Sequence, residues 1–333
     1  MRALTVHPGR PGSARVEEVP EPTPAPGELL VRGLAVGVCG TDREIAAGDY
    51  GQAPPGRERL VLGHESLGEV LEAPAGSGFE PGDLVAGVVR RPDPEPCGAC
   101  AHGEWDMCRN GRFTERGIKQ LDGFASERWT LPPEYAVAVP SALGLSGVLV
   151  EPASVVAKAW EQVERVGARA WFEPRTALVT GAGPIGLLAA LMGVQRGLDV
   201  HVLDLVTDGP KPGLVAAIGA TYHTSSLGEV ARSSPPDVVI EATGVGQLVV
   251  DAMAENTTFG IVCLTGVSTG GRSLRVDLGA LNRDIVLEND AVVGSVNANL
   301  RHYRAGVAAL AQADPAWLRA LVTAVVPLEE AAE

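Results

Sequence analysis

The stretch Thr176–Ala190, TALVTGAGPIGLLAA, constrains the fold more than any other part of this sequence. Ala177, Leu178 and Val179 form an apolar run that reads as a buried strand. It leads into Gly181-Ala182-Gly183-Pro184-Ile185-Gly186 and then into the apolar run Leu187–Met192, which reads as a buried helix. Strand, glycine turn and helix in that order are the setting in which a G-x-G-x-x-G fingerprint binds a dinucleotide. Gly181 permits the tight turn, Gly183 lets the backbone approach a pyrophosphate, and Gly186 lets helix and strand pack closely. The helix that starts at Pro184 offers free N–H groups from Ile185 onward, with partial positive charge, to the phosphates. A second apolar strand, Val200-His201-Val202-Leu203, ends at Asp204. An acidic residue roughly 20 positions past the glycines is placed to grip a ribose 2′-hydroxyl, which favours NAD. Lys211 and Thr207 are near enough in sequence to soften the repulsion of a 2′-phosphate, so NADP remains open as the cofactor.

With 333 residues the chain is long enough for two domains with separate cores. Residues 1–150 read as mostly β, with strands at Arg2–Val6, Glu28–Val36, Glu69–Leu71, Leu84–Val89 and Tyr135–Pro140, and a proline-rich loop at Val19–Pro26. Glu151-Pro152 opens a helix with a carboxylate in its first turn, a position that the helix dipole favours. From residue 176 the pattern becomes one of alternating strands and helices. Lys211–Ile218 and Gly246–Ala254 read as helices, Asp237–Thr243 and Gly260–Thr265 as strands. Ile285–Leu287 and Ala291–Ser295 are the last pieces. That alternation predicts an α/β architecture, a Rossmann-type doubly wound parallel sheet, with Cys263 in the core of one strand.

Hydrophobic residues make up 45 % of the chain and charged ones 20 %, a globular composition. The net charge of −14 argues against nucleic acid and anionic membranes as partners. No apolar run of membrane-spanning length lacks charges or glycine, and Met1–Val6 is not a signal peptide, so a cytoplasmic location is expected.

The five cysteines, an odd number, point to thiolates rather than a disulfide framework. Cys97, Cys100 and Cys108 have C-x2-C-x7-C spacing, which fits a compact structural zinc lobe with a fourth ligand from Asp93, Glu95, His102 or water. Upstream, Gly37-Val38-Cys39-Gly40-Thr41-Asp42 and Gly63-His64-Glu65 place a thiolate, a hydroxyl, an imidazole and carboxylates on loops after strands. Alone, Cys39 reads as a buried thiol and His64 as a loop histidine. Together they are two zinc ligands, and a third protein ligand leaves the open position that a catalytic zinc needs.

Together these motifs resemble the zinc-containing medium-chain dehydrogenase/reductase superfamily, and within it the glucose 1-dehydrogenase branch of archaea and some bacteria. The resemblance spans nearly the whole chain. It rests on Cys39–Asp42, Gly63–Glu65, the cysteine lobe, Glu115-Arg116-Gly117-Ile118, Glu151-Pro152, Gly181–Gly186 and Gly294-Ser295-Val296-Asn297-Ala298. It implies a mostly β, GroES-like catalytic domain split into residues 1–158 and 301–333, with an NAD(P)-binding domain inserted at 159–300.

By the same resemblance Cys39 and His64 hold the catalytic zinc, with Glu65 or Glu151 completing the set directly or through water. Thr41 is a proton-relay group beside the reacting hydroxyl. Glu115, Glu151 and Asn297 line the sugar site, Asn297 near the nicotinamide. The implied activity is oxidation of an aldose at C1 to an aldonolactone by a homo-oligomer, a dimer or tetramer. Two other readings share these features: a sorbitol- or threonine-type zinc dehydrogenase, and a non-catalytic NAD(P)-binding homologue. The lobe has three of the family's usual four cysteines. The family also continues through a further helix and strand, where this chain stops soon after Pro327-Leu328-Glu329-Glu330.

Overall fold

The computed structural model describes residues 1–268, 270–271 and 273–332. In chain order the first elements are β1 (Arg2–Val6), β2 (Arg15–Glu18), β3 (Leu29–Gly37), α1 (Gly40–Ala47), β4 (Leu60–Val61), β5 (Glu65–Glu72), β6 (Leu84–Gly87) and β7 (Arg90–Arg91). Then come α2 (Gly98–Ala101), β8 (Thr114–Arg116), β9 (Gln120–Leu121), β10 (Arg128–Leu131), β11 (Ala136–Ala138) and α3 (Val150–Gly167). Parallel strands and helices follow: β12 (Thr176–Thr180), α4 (Pro184–Gln195), β13 (Asp199–Leu203), α5 (Pro210–Ala217), β14 (Thr221–His223) and α6 (Leu227–Ser233). The remainder is β15 (Val238–Glu241), α7 (Gly246–Ala254), β16 (Ile261–Leu264), α8 (Leu278–Glu288), β17 (Ala291–Gly294), α9 (Leu300–Ala311) and α10 (Pro315–Leu321). The chain divides into two compact units, Met1–Ser154 with Asn297–Glu333, and Val155–Val296.

The first unit is built on an antiparallel sheet in the order β10-β3-β5-β6-β11, with smaller sheets β2-β1-β4 and β7-β8-β9 beside it. β10 and the first half of β3 alternate in burial, as expected where one face is covered. Leu29, Val31, Val70, Val85, Phe124, Trp129 and Leu131 form one core cluster, with Phe124 and Trp129 packed edge to face at 4.8 Å. The returning segment adds α9 and α10, which the sequence reading did not contain. α9 starts at Asn299, whose side chain accepts the Arg301 N–H.

The second unit is a six-stranded parallel sheet in the order β14-β13-β12-β15-β16-β17. Its central strands are buried throughout, Ala177–Thr180 and Val238–Glu241 included, because helices cover both faces of such a sheet. α4 is buried from Gly186 to Gly193, a helix apolar all round and therefore internal. Pro184 sits at its first turn, where a missing N–H costs nothing. Cys263 is fully buried in β16, and burial pushes its thiol up to about 12.

One local expectation changes: Thr41 and Asp42 lie on the short helix α1 rather than a loop, and Cys39 is its N-cap. Of the last pieces, Ile285–Leu287 belongs to α8, and Ala291–Gly294 forms the last strand. Among the described residues one helical run, Ser141–Gly167, is long and apolar enough to cross a membrane, and 72 % of its most apolar window is buried inside the protein.

Candidate active site

β3 delivers Cys39 to the start of α1, and the turn before β5 delivers His64. Gly63 makes that turn with φ of 88°, a left-handed conformation that costs glycine little. The Cys39 sulfur lies 3.1 Å from His64 Nε2. On the other side of the ring, His64 Nδ1 faces Asp42 Oδ1 at 3.4 Å, while Asp42 Oδ2 accepts the Cys39 N–H at 3.0 Å. A carboxylate behind a histidine fixes its orientation and tautomer, so Nε2 is the nitrogen aimed at the sulfur. Burial works against a charged imidazole here, yet Asp42 and Cys39 raise the His64 pKa well above its ordinary value.

Glu65 follows immediately as the first residue of β5. The ligand atoms of Cys39, His64 and Glu65 all lie within 4.8 Å of one another. Burial raises the Glu65 pKa to about 7, opposed by His64 and reinforced by Asp42. Glu151, in the first turn of α3, is pushed up to about 8 by burial, opposed by His64, with Glu65, Asp42 and Glu115 adding to the rise. This corner of the first unit thus gathers carboxyl groups and a thiol around one imidazole, groups whose deprotonated forms a divalent cation would stabilise. Thiolate, imidazole and carboxylate are zinc ligand types, and three protein ligands leave a fourth position open. The donor set fits zinc. Thr41 is half-buried in the first turn of α1.

Glu115 is not a solvated loop carboxylate. It lies on β8, opposite Arg90 of β7, and is only 4 % exposed. Its Oε1 accepts Arg90 Nε at 3.0 Å, Arg90 Nη2 at 2.9 Å and Asn297 Nδ2 at 2.7 Å. The neighbouring arginines point elsewhere: Arg112 pairs with Glu95 and Asp93, and Arg116 donates to the carbonyls of Asp122 and Thr130. Asn297 holds a left-handed backbone, φ 62°, and its side-chain oxygen accepts the Ala298 N–H. Sequence reasoning passed over Arg90, as well as Asn299, whose amide donates to Asp106 at 2.7 Å.

In the lobe, Cys97 is the N-cap of α2 and Cys100 lies within that helix. The sulfurs of Cys97, Cys100 and Cys108 lie within 4.8 Å of one another. The N–H groups of Arg109 and Cys100 lower the Cys97 thiol to about 6, close to thiolate at neutral pH. Of the fourth-ligand candidates, Glu95 is exposed and paired with Arg112, and His102 is exposed with Nδ1 2.7 Å from the Gly98 carbonyl. Asp93 is 2 % exposed, with Oδ1 accepting the Glu95 N–H.

In the second unit the glycine turn has the geometry its motif requires. Gly181 adopts φ of 89°, and a side chain at Gly186 would collide with the Gly181 carbonyl. A Cβ on Gly183, the N-cap of α4, would meet open space. Asp204 ends β13 with Oδ2 accepting the Ala182 N–H at 2.7 Å and Lys211 Nζ at 2.9 Å, and Oδ1 accepting the Val206 N–H. Burial opposes its charge, but these three donors hold its pKa below the usual carboxylate value. The strand order reverses between β12 and β15, and ligands of doubly wound sheets bind beyond the carboxyl ends at that point.

A GroES-like unit with a cysteine–histidine–glutamate cluster and a unit with this sheet and glycine turn define the class of zinc-type medium-chain dehydrogenases. Residues 25–141 match the alcohol dehydrogenase GroES-like domain, and residues 144–333 match the glucose dehydrogenase C-terminus. The glucose 1-dehydrogenase of Methanocella arvoryzae is 40 % identical over 95 % of this chain and 90 % of its own length. That of Thermoproteus tenax is 44 % identical over 99 % of this chain and 94 % of its own length. The structure of Haloferax mediterranei glucose dehydrogenase in complex with NADP, Zn and gluconolactone superposes with a TM-score of 0.91 at 34 % identity, covering 100 % of this chain and 95 % of that one. The chain belongs to the glucose 1-dehydrogenase family.

Proposed function

We propose that this protein oxidises an aldose, D-glucose or a close epimer, at C1 to the aldonolactone with NAD(P)+ as acceptor. The observation that carries this reading is the convergence of Cys39, His64 and Glu65 in a chain of this family. The gluconolactone in the Haloferax complex is the product such a reaction yields from glucose. The C1 hydrogen leaves with its electron pair for nicotinamide C4, and the C1 hydroxyl gives up its proton.

Cys39 and His64 would hold the zinc, with Glu65 or Glu151 completing the set directly or through water. When bound, zinc supplies Lewis-acid stabilisation to the C1 oxygen as that proton is lost. Asp42 keeps His64 in the orientation that holding a cation requires. Thr41 passes the hydroxyl proton outward. Glu115, Glu151 and Asn297 bind sugar hydroxyls away from the reacting carbon. Arg90 holds the Glu115 carboxylate in one place, so a hydroxyl is read from a set position.

Gly181, Gly183, Pro184, Ile185 and Gly186 hold the pyrophosphate, and Asp204 favours NAD, with Lys211 tempering the repulsion of a 2′-phosphate enough for NADP to serve as well. Cys97, Cys100, Cys108 and Asp93 hold a second, structural zinc. The active form is a cytoplasmic homo-oligomer.

A screen of aldoses, polyols and primary alcohols with NAD and with NADP, lactone detection and metal analysis tests this reading. Turnover of glucose or an epimer to its lactone by a zinc-containing protein is expected. Oxidation of simple primary alcohols or sorbitol as readily as glucose would replace the sugar reading with a general alcohol dehydrogenase.

A further inference from the structure

Glu241 ends β15 with no solvent exposure (0 %) and has no part in the chemistry above. Its side chain joins the end of β12 to the loop after β15, and its main-chain carbonyl holds the loop after β16. Oε1 accepts the Thr180 hydroxyl at the end of β12 at 3.1 Å, the Thr243 N–H at 2.8 Å and the Thr243 hydroxyl. The Gly244 N–H is shared between Oε1 at 3.2 Å and Oε2 at 3.1 Å. The Glu241 carbonyl in turn accepts the Thr265 and Gly266 N–H groups after β16, at 2.8 and 2.9 Å, and the Thr265 hydroxyl.

Glycines let these loops close on one another. A Cβ at Gly181 would stand 2.9 Å from the Thr243 methyl. At Gly244, φ 67°, it would meet the Val267 carbonyl at 2.5 Å, and at Gly266 it would meet Glu241 Oε2 at 2.7 Å and collide with the Gly244 nitrogen. The fingerprint turn, the β15 loop and the β16 loop therefore form one platform with a carboxylate at its centre.

A carboxylate in a dry interior is costly unless fully hydrogen-bonded, and a leucine would fill the same space without that cost. Here the donors are supplied, by the last residue of β12 and by the loop after β15, at the switch point where a doubly wound sheet takes its ligand. We propose that Glu241 is a positioning residue for the dinucleotide: it ties the glycine turn to the β15 and β16 loops, so the platform is set before the cofactor arrives. The proposal rests on the reading of this unit as the NAD(P)-binding one.

Binding of NADH and NADPH to the purified full chain, followed by nucleotide fluorescence, tests it with Glu241→Gln and Gly266→Ala. Glutamine puts an amide N–H against the Gly244 N–H where an acceptor stood, and alanine wedges the β16 loop away from Gly244 and Glu241 Oε2 without removing the carboxylate. Both variants should bind dinucleotide about tenfold more weakly or worse, as sub-ångström misplacement of a binding group implies. The dinucleotide KM should rise in parallel while the aldose KM holds. If Glu241→Gln does not fold, Thr180→Val, which removes one donor only, takes its place with the same expected direction. Unchanged dinucleotide affinity in folded variants, even with a lowered Tm, would leave Glu241 a purely structural residue and overturn the proposal. A wild-type protein that binds neither nucleotide would instead remove the reading of the unit, and the proposal with it.

Discussion

Gly37 stands directly across the β3–β5 ladder from Glu65, and the space its missing side chain leaves is taken by the Glu65 carboxylate. A Cβ at Gly37 would collide with Oε2 of Glu65 and lie 3.0 Å from its Cβ. Gly37→Ala should therefore leave the sheet intact by circular dichroism but push Glu65 away from Cys39 and His64. Zinc content should fall, and kcat/KM should drop by about two orders of magnitude, the usual scale for a misplaced catalytic group. Full zinc and full activity in this variant would mean Glu65 is not needed at the metal.

Cys39→Ser and His64→Ala each remove one side of the 3.1 Å sulfur–imidazole contact. Both variants should retain the fold and lose turnover below detection. Asp42→Asn should be milder: His64 keeps its place but loses the carboxylate behind it, a change that typically costs about 10–100-fold in metal affinity. Retained activity in Cys39→Ser or His64→Ala would take zinc out of the mechanism.

Replacing Cys97, Cys100 or Cys108 should act on stability more than on chemistry, because a closed zinc site contributes folding free energy. The expected result is a Tm lowered by several degrees with kcat changed far less. If chelation removes only one zinc per chain and Tm stays put, the lobe carries no metal.

Glu115→Gln leaves Arg90 without its carboxylate inside the protein. Loss of one partner from a buried charged pair should cost about 1–3 kcal/mol of stability, read from denaturant unfolding. The aldose KM should rise, and discrimination among epimers should flatten, because a hydroxyl-reading acceptor has been weakened. Wild-type kinetics on every aldose with lowered stability would assign Glu115 to the Arg90 pair alone.

Asp204→Ala should shift cofactor preference towards NADP, since it removes the carboxylate and frees Lys211. A wild-type preference for NADP beyond about tenfold, or about 1.4 kcal/mol, would show that Asp204 does not set the choice. The same carboxylate has an acid signature. Its folded pKa lies below its unfolded value, so its contribution to stability is present above the unfolded value and is lost as pH falls through the folded one. Asp204→Asn should flatten that acid limb in urea titrations.

The glycine turn was legible because its closest constraint is local: Gly186 answers to the Gly181 carbonyl five residues before it, so the motif can be read without knowing the sheet. The helix α1 was not legible, since its eight residues begin with glycine and bury only Asp42 and Ile45, too little for an apolar period. Nor was the Arg90–Glu115 pair, which depends on β7 lying beside β8 across 25 residues of sequence that include the cysteine lobe. Glu115 was therefore singled out only through the family resemblance, without its arginine partner. Ile285–Leu287 read ambiguously because a short apolar run fits a strand as well as a helix, and only the Asp277 cap, accepting the Ala280 N–H, marks where α8 starts. Asn299 offered a comparable cap signal for α9.

The first unit is assembled from two segments far apart along the chain, while the second is continuous from Val155 to Val296. On a ribosome this imposes an order of events. The parallel sheet can complete its own core as soon as its last strand emerges. The first unit, although its antiparallel sheet emerges earlier, is completed last, because the Val89 N–H reaches the Tyr303 hydroxyl, and Glu115 reaches Asn297, only after that whole insertion has been made. Closing loops of 214 and 182 residues carries an entropic cost that grows only slowly with length, so the late return is thermodynamically tolerable. Its burden is kinetic: during synthesis Glu115 and Arg90 exist without their last partner, and in that interval the nascent chain is exposed to aggregation.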